Sequence, residues 1–527
     1  MSYTLILDAG SASPVNLVVQ SAGEGAPVEI GTVSQSANGA DRSSVRGVKR
    51  NFGSLTSFVD TATKDSILSI LKSGRQLPCS GDLLGNLQTQ CTVRYTGATM
   101  IAGLVDFWTV GLALNEVQPN VTLLRYAPGD TITGEAFTRS TVAYQTNVSG
   151  IYVSKAIDTK RDGHYIGGVV STLLEGARTN SCLQSNVLTT TWTLSGAGTR
   201  TQDAVGLDGT ANSATTIADT SAAAQTTVNQ TITVPVDSNK HCASFYFKKD
   251  SDTTRFPACM LQISGGTTVR RSAHLNTQTG AIADDNPAGT GSSRVVDDEL
   301  WWIVELTVTN NSTAGNTSLL ARVYPAAGTV LGTGDVAATG SCIVGQVQVE
   351  LNSPSYSSPI FTTTAAVARG SDSESLPHTT PPQEMTVYAK FVEQGTIGIA
   401  NARVFQISDA AGTSPYFTCY STGTAYRARH TSGGVDQLST LAVAPAIGDT
   451  VELCFRLFGD GSIDITQSID GAASTSGAQS SALPFASAWS GLLAWLNSVG
   501  TSAVGFTALQ QFKVIAGSRS LDEIRNA

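Results

Sequence analysis

Apolar residues along this chain recur mostly at every second position, the spacing of a strand with one buried face. The alternation is cleanest at residues 107–116, where Trp108, Val110, Leu112 and Leu114 share a face. It predicts further strands at 3–7, 15–19, 91–95, 241–249, 269–275, 301–308, 318–324 and 344–351. After residue 384 it predicts strands at 385–391, 404–409, 416–420, 451–457, 461–465 and 511–515. Helical spacing is clear only at 63–73, where Ile67, Leu68, Ile70 and Leu71 fall on one stripe and Gly74 is placed to end it. Residues 520–525 read as a last helical turn.

These elements predict a mainly β fold: β-sandwiches in series after an N-terminal β domain with one helix. Five segments follow. Residues 1–122 form a first unit, and 123–172 a β-hairpin connector. Residues 173–370 form a sandwich whose strands recur every 10–20 residues or so. Residues 371–384, with Pro381-Pro382, read as an extended linker, and 385–527 form a last sandwich. In the strand at 344–351, Val347, Val349 and Leu351 alternate with Gln346, Gln348 and Glu350. That polar stripe is either a solvated face or one rim of a binding surface.

Composition narrows the function. Only 14% of the 527 residues are charged, and 51 are glycine, which suits short strands and tight turns. The net charge of −9 offers no basic stripe for phosphates, so nucleic acid is not an expected partner. No apolar run is long enough to span a bilayer as a helix, so no membrane insertion is expected. The start of the chain does not read as a signal peptide, so synthesis in a cytoplasm is expected. The eight cysteines include no C-x-x-C pair and read as small buried hydrophobes. Only Cys79 and Cys91 are spaced to bracket a hairpin.

Two segments carry a family resemblance: Leu173-Leu-Glu175-Gly-Ala-Arg178-Thr-Asn180, and the run from Val344 through Glu350, Ile360 and Thr363 to Ala368-Arg369. An "EGARTN" opening with such a close resembles the carbohydrate-binding-like modules of tailed-bacteriophage structural proteins. Residues 1–122 are similar in element order to the tail-tube and distal-tail domains of long-tailed phages. The last segment, closing on Phe512-Lys-Val-Ile-Ala-Gly-Ser-Arg-Ser-Leu-Asp-Glu-Ile524, resembles concanavalin-A-like lectin/glucanase sandwiches. The resemblance implies a virion protein made in the bacterial cytoplasm. It would be tail- or baseplate-associated, assembled as a ring or trimer against other tail or capsid proteins, and would present modules to host-surface glycans. It leaves open a capsid decoration or head-fibre protein, and a glycan-degrading tail enzyme.

The chemistry favours binding over catalysis. Residues 385–527 lack the paired carboxylates that lectin-like glucanases carry on one strand. No G-x-S-x-G, P-loop or H-E-x-x-H occurs, and no cofactor or metal is expected. The acidic run Asp297-Asp298-Glu299 reads as a solvated loop before Trp301, with a structural calcium site as the alternative. Sugar binding needs aromatic faces beside hydrogen-bonding groups. The candidates are Trp192, Tyr246, Trp301 and Trp302 in the middle segment and Tyr416, Tyr420, Tyr426 and Trp489 in the last. Trp301, Trp302, Tyr416, Tyr420 and Trp489 are the chosen site residues. Adjacent Trp301 and Trp302 point to opposite faces of a strand, so one is expected in the core and one outside. Arg139 and Arg178 either pair with carboxylates at the module's edge or stay solvated. Glu175, Arg178, Gln348 and Glu350 are expected at the seam where its first and last strands meet.

Overall fold

The computed structural model describes only the strand backbone before residue 122. From there it describes all but residues 131, 133–134, 167, 286–290, 378–384, 396–400, 409–415, 433–434, 459, 484–492, 497–506, 517–520, 522–523 and 525–527. At a few strand positions, Tyr416 and Leu493–Leu496 among them, it describes the backbone alone. The fold is mainly β, and the chain divides into two compact units, 1–121 and 122–527.

The first unit holds a closed antiparallel barrel. Its strand order is Tyr3–Leu7, Val15–Glu24, Asn51–Asp60, Phe107–Glu116, Thr89–Met100 and Leu77–Ser80. Closure leaves no free sheet edge, and register shifts beside Gly111 and Leu112 bend the strands to allow it. Cys79 pairs with Thr89 and Cys91 with Leu77, so the two cysteines are not opposed in the register. The helix expected at 63–73 lies outside the described residues.

The second unit holds two sandwiches, one inserted into the other. Thr122–Tyr126 and Val169–Leu174 both pair with Thr507–Ala516, close to the C-terminus. Ala136–Thr138 pairs with Ser373–Pro377, which pairs in turn with Leu493–Leu496. Much of the expected connector therefore completes the last sandwich, and only Ala143–Thr146 with Tyr152–Lys155 forms a separate hairpin. The expected linker likewise contains a sheet strand, whose Leu376 is fully buried. The polar sequence Ser373-Glu-Ser hid it: an apolar residue at one position in five gives no alternation to read.

The outer sandwich packs a sheet built on Met385–Glu393, Thr450–Leu457 and Thr507–Ala516 against one built on Arg403–Ser408, Tyr416–Ser421 and Tyr426–Ser432. Phe391, Phe405, Phe417, Phe455 and Phe512 fill the space between them. Phe405 meets Phe455 and Phe512 at ring-centroid distances of 5.8 and 5.6 Å, in edge-on geometry. Leu521 and Ile524 are helical and pack on Tyr388, Cys454 and Ile515, against the outside of the first sheet.

The inserted sandwich runs from Arg178–Asn180 to Val367–Arg369. These two strands pair, and Asn180 also pairs with Glu350. Its central sheet has the order Thr199–Ala204, Ala214–Asp219, Gly340–Glu350, Lys240–Lys248, Trp301–Thr309, Gly291–Asp298. The opposing sheet has the order Thr193–Ser195, Thr227–Thr233, Ser318–Gly328, Phe256–Ser264, Val269–Leu275, Ile282–Asp285. Phe245, Phe247, Val304, Leu306, Leu261 and Val323 lie between them. Six of the cysteines are described, and all six are buried and unbridged.

Candidate glycan-binding faces

The two sheets of the inserted sandwich have different outer faces. On the central sheet that face carries Cys242, Tyr246, Trp301, Ile303, Gln346, Gln348 and Glu350, all buried. The hairpin residues Tyr144 and Tyr152 and the covering segment 353–362, with Tyr356 and Phe361, pack over it. The covering segment is held by the stripe itself. Gln346 Nε2 donates to the Ile360 carbonyl at 2.9 Å, Ile360 N donates to Gln348 Oε1 at 2.7 Å, and Ser357 N donates to Glu350 Oε1 at 2.9 Å. The polar stripe is thus neither solvated nor a rim. Its side chains replace water as partners for a third layer of backbone.

The tryptophans follow from that layering. Trp301 is 1% exposed on the covered side, against Tyr152, Leu207 and Tyr246, and Trp302 is 8% exposed on the core side. Trp302 Nε1 donates to the Thr277 carbonyl at 2.8 Å, and Lys249 Nζ stands 4.2 Å from its ring centroid. The expectation of one outward tryptophan is corrected: both faces of their sheet are covered, so neither ring is open to a sugar. Trp302→Phe is expected to cost about 2 kcal/mol by thermal unfolding, for the lost hydrogen bond and packing. Glycan retention on the same variant should be unchanged. Trp192, Tyr246 and Tyr426 are buried as well. Trp489 lies outside the described residues. Tyr416 opens the strand Tyr416–Ser421, and Tyr420 in the same strand is half-buried.

The seam is a buried charge cluster. Arg161 pairs with both Glu175 and Asp372, Arg369 pairs with Glu175, and Arg139 Nη1 stands 3.1 Å from Asp372 Oδ1. Ser358 N donates to Glu175 Oε1 at 2.7 Å, and Glu175 N to Asp372 Oδ2 at 2.8 Å. Burial would raise the Glu175 carboxyl, but Arg161, Arg369 and Ser358 outweigh it and hold it at about 2. Arg178 pairs with Glu350 at 3.3 Å, at the partly exposed end of the same seam. The cluster joins the connector, both ends of the insert and the strand after it. Asp298 also turns inward, taking a hydrogen bond from the Tyr152 hydroxyl at 2.7 Å, and burial lifts it to about 6. Asp297 pairs with Lys249. Among the described residues no group of three or more His, Cys, Asp or Glu side chains is placed to hold a metal ion.

The outer face of the insert's opposing sheet is partly exposed, around a buried Ala258 and Met260. Cys259, Leu261 and Ile263 point into the core, so Ala258, Met260 and Gln262 point out. The register then sets out three cross-strand rows: Asn229–Arg322–Met260–Ser272, Thr231–Leu320–Gln262–Arg270, and Tyr324–Ala258–His274. Asn229, Gln262, Arg270, His274, Arg322 and Tyr324 are all half-buried on this face. Arg322 Nη1 donates to the Tyr324 hydroxyl at 3.1 Å, with its guanidinium 5.8 Å from the ring centroid. Its Nε has no hydrogen-bond partner. An aromatic ring beside guanidinium, amide and imidazole groups on a flat sheet matches what a sugar ring needs: an apolar face to stack on and donors at its edge. Tyr324 is not among the aromatic candidates read from the sequence. The alternation at 318–324 could have found it: Leu319, Ala321 and Val323 point inward and leave Arg322 and Tyr324 outside.

A second partly exposed margin lies on the outer sandwich. Phe417, Cys419, Tyr426 and Ala428 face its core, so Tyr420 and Arg427 face out. The register aligns Arg403, Tyr420, Arg427 and Thr440 in one row and Gln406, Thr418, Arg429 and Leu438 in the next. Gln406 and Thr418 are buried, whereas Arg403, Tyr420, Arg427 and Arg429 are half-buried, so the face opens toward Val435–Thr440.

No protein-family model matches the chain, and no curated protein matches it. Among solved structures it is similar to the LG1-3 region of the laminin alpha2 chain, at 9% identity and a TM-score of 0.23. That likeness covers 55% of this chain and 66% of the laminin chain, just under two thirds. It is also similar to domains LG4-5 of the mouse laminin alpha1 chain, at 10% identity and a TM-score of 0.20, over 62% of this chain and 94% of that one. Overlaps this slight say nothing of function, and the sandwiches are read from this chain's own strands.

Proposed function

We propose that this chain is a non-enzymatic structural protein of a tailed-phage virion, tail- or baseplate-associated, which holds host-surface glycans on its two sandwiches. The observation that carries the glycan reading is the partly exposed face around Arg322 and Tyr324, on a sandwich whose other sheet is sealed by a third layer. The virion reading rests on the resemblance of residues 173–180 and 344–369 to phage carbohydrate-binding-like modules. Each face is shallow and binds weakly by itself. A ring or trimer multiplies the contacts, and avidity supplies the strength.

Retention of the full chain on an array of bacterial surface glycans is the direct test. Arg322→Ala is expected to reduce retention about tenfold, through the lost charged hydrogen bonds to the sugar. Unchanged retention by that variant removes this face from the reading, and absence of any retained glycan removes the glycan role. Release of reducing sugar from host polysaccharide would make the protein an enzyme instead. Labelling of the protein at the tail of imaged virions supports the address, and labelling confined to the head overturns it.

A further inference from the structure

One sheet of the outer sandwich ends on an unguarded strand. Val435–Thr440 comes last in its order and pairs only with Tyr426–Ser432. Leu441 N donates to the Tyr426 carbonyl at 3.0 Å, so these two opposed residues form a hydrogen-bonded pair. Such pairs alternate along an antiparallel ladder, so Val435, Gln437 and Ser439 also turn their backbone groups toward Tyr426–Ser432. Asp436, Leu438 and Thr440 therefore turn theirs to the open side, where no described strand meets them. Gly477 comes close to the Thr440 carbonyl and marks the end of the open run. Free N–H and C=O groups recruit further strands, and edges are commonly blunted by lysine, proline or a covering loop. Val435–Thr440 contains neither lysine nor proline, and its Val435 and Leu438 are 52% and 43% exposed. Its one acid, Asp436, is held by Arg429 at 2.7 Å and by the Thr431 hydroxyl at 2.6 Å.

We propose that this edge pairs with the same edge of a second copy of the chain, antiparallel and about a two-fold axis at Leu438. A two-fold axis through the sheet pairs residues of like parity, and the outward groups at 436, 438 and 440 have it. Leu438 then faces Leu438 of the second copy, and Asp436 faces its Thr440. The outward backbone groups gain partners, and Leu438 is buried against its own kind. The two Asp436 residues stay four positions apart along the ladder, about 14 Å, so no like charges meet. Asp436 also enters the row of the second copy's Arg427. Arg427 Nε donates to the neutral Thr440 hydroxyl at 2.8 Å, and among the described residues no carboxylate pairs with it. These features complement themselves, as an isologous contact requires, and so point to a second copy rather than an unrelated strand. The contact stands beside the ring or trimer of the functional reading: it joins copies in pairs and makes one sheet of two exposed margins.

The test oxidises full-chain Leu438→Cys and Val435→Cys at high protein concentration, beside wild type. Opposed hydrogen-bonded residues lie about 5.5 Å apart at Cα, within disulfide reach. The two copies of residue 435 would instead stand about 20 Å apart. Leu438→Cys is expected to give a disulfide-linked dimer on a non-reducing gel, and Val435→Cys no more than wild type. A second measurement is sedimentation of Leu438→Lys, whose two ammonium groups would meet at the axis. Association through this edge should weaken about tenfold or more. Its melting temperature should not change, because Leu438 is exposed and its N–H lies outside the ladder. Cross-linking of Leu438→Cys no greater than that of Val435→Cys overturns the pairing. Leu438→Lys that sediments as wild type does also overturns it, since copies would then be held by other faces alone.

Discussion

Arg161→Met is expected to lower the stability of the second unit by about 3–5 kcal/mol, the usual cost of removing one partner from a buried ion pair. The arginine is wholly buried and serves two carboxylates, Glu175 and Asp372. Methionine fills part of the volume but leaves Asp372 with Arg139 alone and Glu175 with Arg369 alone. The burial penalty of both acids remains, so the variant loses attraction without regaining hydration. Arg178→Ala is the control: its pair with Glu350 is partly solvated, and about 1 kcal/mol or less is expected. Urea unfolding of the full chain reads both. A second signature separates a shared network from simple lost packing. Arg161→Met and Glu175→Gln should cost less together than the sum of their separate costs, because each removes the other's partner. Additive costs, or a loss near that of Arg178→Ala, would refute a cooperative lock at this seam.

That cluster also shows where the sequence was legible and where it was not. The strands Tyr3–Leu7 and Phe107–Glu116 fall where alternation places them, and the mainly β fold follows from many such segments. Alternation reports that one face is buried and the other is not apolar. It does not report whether the second face meets water. Gln346, Gln348 and Glu350 read as an outer stripe, and they are one, but a third layer of backbone makes amide partners as useful as water there. The same layer hid both tryptophans, since adjacent residues can both be buried once a sheet is covered on two sides. The charged residues of the seam are spread from Arg139 to Asp372. Glu175, Arg178, Glu350 and Arg369 lie in the motif segments and Arg139 reads as a candidate to pair with an edge carboxylate, but nothing local to Arg161 or Asp372 announces that they belong with them. Pairings of that separation, like those of Val169–Leu174 and Ser373–Pro377 with strands near the C-terminus, are set by topology rather than by neighbouring sequence.

Glu374→Gln is expected to stabilise the protein increasingly as pH rises from about 5 to 8, by a few kcal/mol at the plateau. Glu374 lies in the strand Ser373–Pro377 with its side chain fully buried. Burial is the main reason its carboxyl is pushed up to about 8, and the neighbouring Glu135 adds to it. Lys160 stands 3.6 Å away but is shared with Glu135, whose own carboxyl it brings below the ordinary value against burial. Between pH 4.5 and 8 the folded chain therefore keeps a proton that the unfolded chain has released. Stability from this group is complete at the acidic end and is lost as pH rises to 8, at about 1.4 kcal/mol per unit. Glutamine stays neutral throughout and can still donate to Glu135, so it escapes the loss. Two buried groups act in the opposite sense. Glu175, held at about 2, and His164, pushed by burial down to about 4, both cost stability as the solution is acidified. They are common to wild type and variant, so the difference between the two melting curves isolates Glu374. That difference should grow from pH 5 to 8 and then level off. A constant difference across that range would mean that Glu374 is ionised in the fold, with Lys160 as its partner rather than Glu135's.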